Sequence, residues 1–175
     1  MRCPSCGFEN LAGADWCEGC KQPLAGEEPA GADAGLERDL RTDPVSLLRP
    51  ARPITVSPND AVGDVVRLLA ERGIGCALVT WCDALVGIFT ERDVLMKIGD
   101  RYAAMKDMPV RHFMTPVPES LASEDSIAFA LNRMAVGGFR HVPIEKDERP
   151  VGIISVRDVL DYLARHFPEL LAGRG

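Results

Sequence analysis

Four of the six cysteines lie within the first twenty residues, in two C-x-x-C pairs that are separated by ten residues. Each pair can present two thiolates to one tetrahedral metal ion. Gly7 and Gly19 are predicted to adopt the positive φ that a tight turn around the sulfurs requires. Four protein ligands leave no coordination position for water, so the predicted site is structural rather than catalytic. The predicted ligands are Cys3, Cys6, Cys17 and Cys20.

The cysteine spacing resembles that of short zinc-ribbon domains at the termini of prokaryotic proteins, and the resemblance covers residues 3–21. It implies a structural Zn²⁺ ion. Iron in a rubredoxin-like site, a redox dithiol and a disulfide pair are the alternatives. Phe8, Leu11 and Trp16 are more apolar side chains than so small a unit can bury. Some of them are therefore expected to contact a protein partner, which the sequence does not identify.

A second kind of chemistry is offered by two pairs in which a hydroxyl residue precedes an aspartate by three positions. The pairs are Thr90 with Asp93 and Ser155 with Asp158, and each follows an apolar run. One interpretation is a helix capping box, which has only a structural role. The other is a nucleotide site, because the N-H groups of a helix N-terminus attract phosphate and a carboxylate can accept two ribose hydroxyls. The two roles are compatible.

The two pairs belong to an internal repeat. Residues 45–98 (copy one) align with residues 110–163 (copy two) at a shift of 65 without a gap. Val86-Gly87-Ile88 then matches Val151-Gly152-Ile153, and Gly73 matches Gly138. A duplicated unit of this size predicts two copies of one supersecondary structure that bury their apolar faces against each other.

Each copy has the pattern β-α-β-β-α. In copy one we predict a strand at Ile54–Val56, a helix begun by Asp60, strands at 76–80 and 85–89, and a second helix. The same elements follow in copy two, with strands at 141–145 and 151–155. The predicted fold class is α+β, with the two repeats packed as a pseudo-twofold pair behind the small N-terminal zinc ribbon.

The repeat resembles the CBS domain family. Residues 87–93 and 152–158 match its G-h-h-[ST]-x-x-D signature, where h is apolar, and residues 139–144 match its second strand. With Met114-Thr115-Pro116, the resemblance covers about residues 45–165. It implies that the hydroxyl residue approaches phosphate, that the aspartate holds the ribose, and that adenine lies between apolar strand residues. The implied contacts are Thr90 with Asp93 and Ser155 with Asp158.

The copies differ in the cations that they offer. Copy two has Arg140 and His141 where copy one has Gly75 and Cys76. In CBS pairs each cleft draws groups from both copies, so the cleft with Thr90, Asp93, Arg140 and His141 is predicted to be the better phosphate site. The other cleft is predicted to be empty or to take a less charged ligand.

The division into domains follows composition. We predict a zinc ribbon at 1–24, a flexible acidic linker at 25–44, CBS domain 1 at 45–105, and CBS domain 2 with a C-terminal helix at 106–175. Residues 1–44 hold four Lys or Arg and nine Asp or Glu, a charge of −5 within the total of −6. This acidity weighs against nucleic-acid binding, which usually needs a basic face.

The expected function is that of a regulatory module, not an enzyme, that senses an adenine nucleotide or a related adenosyl ligand. No Walker A loop, H-E-x-x-H motif or nucleophile–base pair is visible. The resemblance also implies a homodimer. We expect a cytoplasmic location, because no secretory signal and no apolar run of about 20 residues is present. The alternatives are a nucleic-acid-associated regulator, in which the ribbon contacts DNA or RNA, and a scaffold that has lost its ligand.

Overall fold

The helices and strands of the chain are given by a computed structural model that describes residues 1–11, 14–22, 24 and 32–168. Its helices are α1 (Ala32–Thr42), α2 (Val62–Arg72), α3 (Glu91–Asp93), α4 (Tyr102–Met105), α5 (Ile127–Gly137) and α6 (Val156–His166). Its strands are β1 (Thr55–Val56), β2 (Cys76–Trp81), β3 (Ala84–Thr90), β4 (Thr115–Pro116), β5 (His141–Lys146) and β6 (Arg149–Ser155). None of these helices has the length and apolar character that a membrane span requires.

The α+β fold class is confirmed. Copy one has the predicted strands and first helix, whereas copy two has α5, β5, β6 and α6 but no strand at 120–121, the positions that match β1. In copy one, β1 pairs in parallel with β2, β2 with antiparallel β3, and β3 with antiparallel β4. In copy two, β5 and β6 form a two-stranded sheet. Both hairpins turn through two residues with positive φ, Cys82-Asp83 and Asp147-Glu148. Such turns match the right-handed twist of the flanking strands.

The core of copy one forms where the apolar face of α2 packs on β2 and β3. Alternate residues of a strand point to the same face, so Ala77 and Val79 of β2 are buried together with Phe89 of β3. Val62, Val65 and Leu69 provide the matching helix face at the predicted spacing. Gly87 of the signature packs closely against Met114, because an added Cβ would overlap the Met114 sulfur unless that side chain moved.

The start of the first helix of copy one differs from the prediction. The helix begins at Val62, and its N-cap is Ala61 rather than Asp60. The Asp60 carboxylate instead accepts a hydrogen bond from the Ser57 N-H at 2.8 Å. Asp60 therefore closes the turn before the helix. Asp125 does the same in copy two, where it accepts from the Ala122 N-H at 2.8 Å.

The second helix is continuous in only one copy. In copy two, α6 runs for 11 residues from Val156. In copy one, α3 has 3 residues and is followed by a π-helical segment at Val94–Ile98 and a 3₁₀ turn at Gly99–Arg101 before α4. Gly99 has a positive φ of 52°, which ends the regular hydrogen-bonding pattern at that point.

The segment predicted as a flexible linker is helical in its C-terminal part. Residues 25–31 lie outside the described residues, but α1 occupies Ala32–Thr42 and extends toward copy two. Asp43 then accepts hydrogen bonds from the Ile127 N-H at 2.9 Å and from the Tyr162 hydroxyl at 2.6 Å. These bonds attach the end of α1 to α5 and α6, so this half of the segment is not a free tether.

The described residues form two compact units that do not coincide with the two copies. One unit comprises the described parts of Met1–Pro50, Leu121–Val142 and Ile154–Gly175, and the other comprises Ala51–Ser120 and Pro143–Ile153. In the second unit, Ile153 packs on the cluster of Cys76, Leu78 and Ile88 and forms a β-bridge with Ala51. The hairpin of copy two is thus packed on the strands of copy one, which agrees with the prediction that the copies bury apolar faces together.

Candidate functional site

The corner between β3 and α3 holds the first hydroxyl–acid pair. The Asp93 Oδ2 atom accepts hydrogen bonds from the Thr90 N-H at 2.8 Å and from the Thr90 hydroxyl at 2.7 Å. The Thr90 oxygen in turn accepts from the Asp93 N-H at 3.2 Å. This reciprocal arrangement is a complete capping box. The capping interpretation therefore describes this corner fully.

Lys97 occupies the remaining oxygen of Asp93. Its Nζ lies 2.7 Å from Asp93 Oδ1 and also donates to the carbonyl oxygens of Phe113 at 2.6 Å and Met114 at 3.2 Å. Asp93 is 7% exposed. Because Oδ2 already accepts two hydrogen bonds and Oδ1 is paired with the lysine, a ribose that used both of its hydroxyls on Asp93 would compete with Lys97 for Oδ1. Lys97 was not predicted as a site residue, although it follows Asp93 by four positions.

The corner between β6 and α6 holds the second pair, and its aspartate is less occupied. Asp158 Oδ2 accepts from the Ser155 N-H at 2.5 Å and from the Ser155 hydroxyl at 2.8 Å. Within the described part of the chain, Asp158 forms no ion pair. The reason is a single difference between the copies, since the residue that corresponds to Lys97 is Tyr162. The Tyr162 hydroxyl bonds to Asp43 instead, and no described residue forms a hydrogen bond or ion pair with Asp158 Oδ1.

A cavity of about 450 Å³ lies beside this second corner. It is lined by Leu48, Arg49, Asp158, Asp161, Ala164 and Arg165. Two guanidinium groups and two carboxylates therefore surround one space. A carboxylate can accept two neighbouring hydroxyls, and guanidinium groups bind phosphate through paired N-H donors.

The two arginines of the cavity come from different elements. Arg49 ends the 3₁₀ segment Val45–Leu48 in the left-handed conformation, with φ 56°. Arg165 is in the last turn of α6, where its Nε donates to the Asp161 carbonyl oxygen at 3.0 Å. Neither residue was predicted as a site residue. At the shift of 65, Arg49 corresponds to Met114, so the repeat alignment carried no signal for it.

Arg140 and His141 belong to the same compact unit as this cavity. The Arg140 carbonyl oxygen accepts a hydrogen bond from the Val156 N-H at 3.1 Å, which fixes the backbone at the start of β5. The Arg140 side chain is exposed and His141 is half-buried. The predicted cleft that combines these residues with Thr90 and Asp93 stays a prediction.

The four N-terminal cysteines lie together. Their Sγ atoms are all within 4.8 Å of one another. The Cys3–Cys20 and Cys6–Cys17 sulfurs are 3.8 and 3.5 Å apart. A tetrahedral Zn²⁺ ion with Zn–S bonds of about 2.3 Å places its sulfurs about 3.8 Å apart. The sulfurs are thus too far apart for disulfide bonds and fit a Zn²⁺ site, in which these four thiolates would hold the ion and crosslink the segment.

Asn10 supports the second pair of cysteines and was not predicted. It is buried, its Nδ2 donates to Cys17 Sγ at 3.5 Å, and its Oδ1 accepts from the Glu18 N-H at 2.9 Å. Burial alone would raise the pKa of Cys17, but hydrogen bonds from the Cys20 backbone and the Asn10 amide outweigh it and lower the pKa to about 6. A thiolate at this position is the form that binds metal.

The predicted role is confirmed for Gly7 but not for Gly19. Gly7 has the expected positive φ, 72°, but in the second pair Lys21 has it, with φ 60°. The left-handed residue is therefore the one that follows the last cysteine of each pair. Gly19 is required for packing instead, because an added Cβ would lie 2.9 Å from Phe8 Cβ.

The paired β-α-β-β-α repeats, each with a capped strand-to-helix corner, define a tandem CBS pair. The CBS domain family model matches residues 40–100 and 110–165. The chain therefore belongs to the CBS domain family, which confirms the resemblance seen in the sequence. Membership in this family identifies the chain as a CBS-pair regulatory module.

Three comparisons place the chain more closely. It is 29% identical over 123 residues to the CBS domain-containing protein CBSCBSPB5 of Arabidopsis thaliana, a match that covers 69% of this chain and 22% of the relative. A crystal structure of a CBS-domain containing protein from Agrobacterium tumefaciens is 31% identical, with a TM-score of 0.63, and covers 68% of this chain and 98% of that one. The chain thus spans about a fifth of the length of the Arabidopsis relative.

The third comparison is with the CBS domain pair of protein MJ0100, solved in complex with 5′-methylthioadenosine and S-adenosyl-L-methionine. It is 20% identical, has a TM-score of 0.62, and covers 71% of this chain and 98% of that one. At this identity the comparison shows the shared fold.

Proposed function

We propose that the chain is a sensor of an adenosine-containing ligand and that the principal site is the cavity beside Ser155 and Asp158. The observation that carries this proposal is the asymmetry between the two aspartates. Asp93 has both oxygens engaged, one of them by Lys97, whereas among the described residues only Oδ2 of Asp158, which lines the cavity, has a partner. The adenosyl ligands of the related MJ0100 pair support the ligand class.

The cavity residues divide the recognition between them. Asp158 would accept the two ribose hydroxyls through the oxygen that Ser155 does not bind. Arg49 and Arg165 would bind the phosphates, each as a fixed fork of N-H donors. This assignment differs from the prediction in which Arg140 and His141 serve the Thr90–Asp93 cleft, and that cleft stays a second candidate site.

Calorimetric titration with AMP and with adenosine tests the assignment. The matched variants are Arg165→Ala, Arg140→Ala and Asp158→Asn. If the cavity is the site, Arg165→Ala should weaken AMP binding about tenfold or more while adenosine binding changes little, because only AMP carries the phosphate. Asp158→Asn should weaken both ligands. An unchanged AMP affinity in Arg165→Ala together with a loss in Arg140→Ala would place the ligand in the other cleft.

A ligand acts as a regulator only when it binds one conformation of the pair more tightly than another. In this proposal the CBS pair changes conformation on binding, and the four-cysteine segment holds a structural Zn²⁺ ion. The homodimer, the cytoplasmic location, the domain boundaries and a protein partner for the segment stay predictions. Native mass spectrometry of the purified chain reports metal content, subunit number and retained nucleotide together.

A further inference from the structure

The first pair of cysteines is attached to copy two through the start of α5. We call residues Cys3–Gly7 the first knuckle. The Ser126 hydroxyl donates a hydrogen bond to the Pro4 carbonyl oxygen of this knuckle at 2.8 Å. The Ser126 hydroxyl oxygen also accepts a hydrogen bond from the Phe129 N-H at 3.1 Å, as the N-cap of α5. One side chain therefore both caps the helix and holds the knuckle.

The first knuckle also covers the ring of Phe129. A Cβ on Gly7 would lie 3.3 Å from Phe129 Cε2, so the glycine lies directly against the ring. The Arg2 guanidinium lies 5.9 Å from the ring centroid, and its Nε donates to the Gly7 carbonyl oxygen at 3.3 Å. Phe129 is only 8% exposed although it is in the first turn of α5.

Copy one does not have the groups that make this contact. At the shift of 65, Ser126 corresponds to Ala61 and Phe129 to Asp64. Ala61 caps α2 without a side-chain hydrogen bond, and Asp64 is exposed and pairs with Arg67 at 3.1 Å. The repeat thus carries a hydroxyl and an aromatic ring at the start of its first helix only in the copy on which the knuckle lies.

The shape of the first knuckle depends on its two cysteines. Cys3 and Cys6 flank Pro4, and both belong to the four-thiolate cluster. In small metal-binding segments of this kind, the binding energy of the metal is the folding energy. We infer that metal loading of the cluster stabilises α5 of copy two through the docked first knuckle. The metal site then acts on the CBS pair within its own chain.

Hydrogen exchange of the full-length chain, with Zn²⁺ bound and after removal of metal with EDTA, tests this inference. In the unmodified protein, metal removal should speed exchange of the α5 amides about tenfold, because their docked cover is lost. The α2 amides of copy one serve as the internal control and should exchange at the same rate in both conditions.

Two variants separate docking from metal binding. The double variant Ser126→Ala with Phe129→Asp introduces the residues that copy one has at the equivalent positions. The variant Arg2→Ala leaves the CBS pair itself unchanged. Both variants should still bind one Zn²⁺ ion per chain, but the effect of Zn²⁺ on α5 exchange should fall in Arg2→Ala and disappear in the double variant. Exchange of α5 that is indifferent to Zn²⁺ in the unmodified protein, or an undiminished effect of Zn²⁺ in Arg2→Ala, would overturn the inference.

Discussion

The same substitution at the two signature aspartates should affect different properties of the protein. Asp93→Asn and Asp158→Asn each remove one charge from an equivalent corner while keeping a side chain that can still accept the cap hydrogen bonds. Asp93 loses in addition its ion pair with Lys97 at 2.7 Å, which leaves the lysine without its carboxylate. Asp158 has no such pair. We therefore expect Asp93→Asn to lower stability and Asp158→Asn to lower ligand affinity.

The magnitude follows from the exposure of the pair. The side chain of Asp93 is 9% exposed and that of Lys97 is 39% exposed, so the pair is neither fully buried nor fully solvated. Exposed pairs contribute about 0–1 kcal/mol, and breaking a buried pair costs about 3–5 kcal/mol. An intermediate value of about 1–2 kcal/mol is therefore the expected excess loss for Asp93→Asn. For a chain of this length it corresponds to a Tm lower by about 2–8 °C.

Urea unfolding at pH 7 without nucleotide measures this difference. The free energies of unfolding should differ between the two variants while the m-value stays constant. A double-mutant cycle with Lys97→Met isolates the pair, and the coupling energy should account for most of the difference. Equal losses of stability in the two variants, or a coupling energy near zero, would refute the reasoning about Lys97.

Two further predictions concern residues outside the site. In the zinc-loaded protein at pH 8, iodoacetamide should modify Cys82 and leave Cys76 unmodified, because Cys82 is exposed in the β2–β3 turn whereas burial raises the pKa of Cys76 to about 12. Mass spectrometry of the alkylated peptides checks this, and equal labelling would contradict it. Gly87→Ala should destabilise the protein by about 1–3 kcal/mol because the new methyl overlaps the Met114 sulfur, and Gly87→Ala with Met114→Ala should recover part of the loss in a thermal melt.

Much of the fold was predictable because the repeat presents each apolar pattern twice. Apolar residues alternate with others in β2 and recur every three or four positions in α2, and each pattern indicates one buried face. The order of the elements could therefore be predicted from the periodicity of the apolar residues. The start of α2 was less predictable. Both Asp60 and Asp125 resemble N-caps in the sequence, but each closes the preceding turn, and only the backbone decides between these two hydrogen-bonding patterns.

The residue types of the candidate site were predictable, but which of the two aspartates is available to a ligand was not. Both hydroxyl–acid pairs are present at the corners, as the signature requires. Which aspartate remains available depends on Lys97 and Tyr162, which correspond to each other but lie outside the signature. The contribution of Arg49 depends on a left-handed conformation near the start of copy one, ahead of β1, which no periodic pattern reports.

The packing of the copy-two hairpin on the copy-one strands has a consequence for biosynthesis. Ala51 acquires its β-bridge partner only when Ile153, about a hundred residues later, has left the ribosome. Until then Ile153 cannot pack on Leu78 and Ile88, and these apolar side chains stay exposed. Nascent chains with exposed apolar surface are prone to aggregate. A gene fragment that encodes copy one alone would leave the same surface permanently open to water.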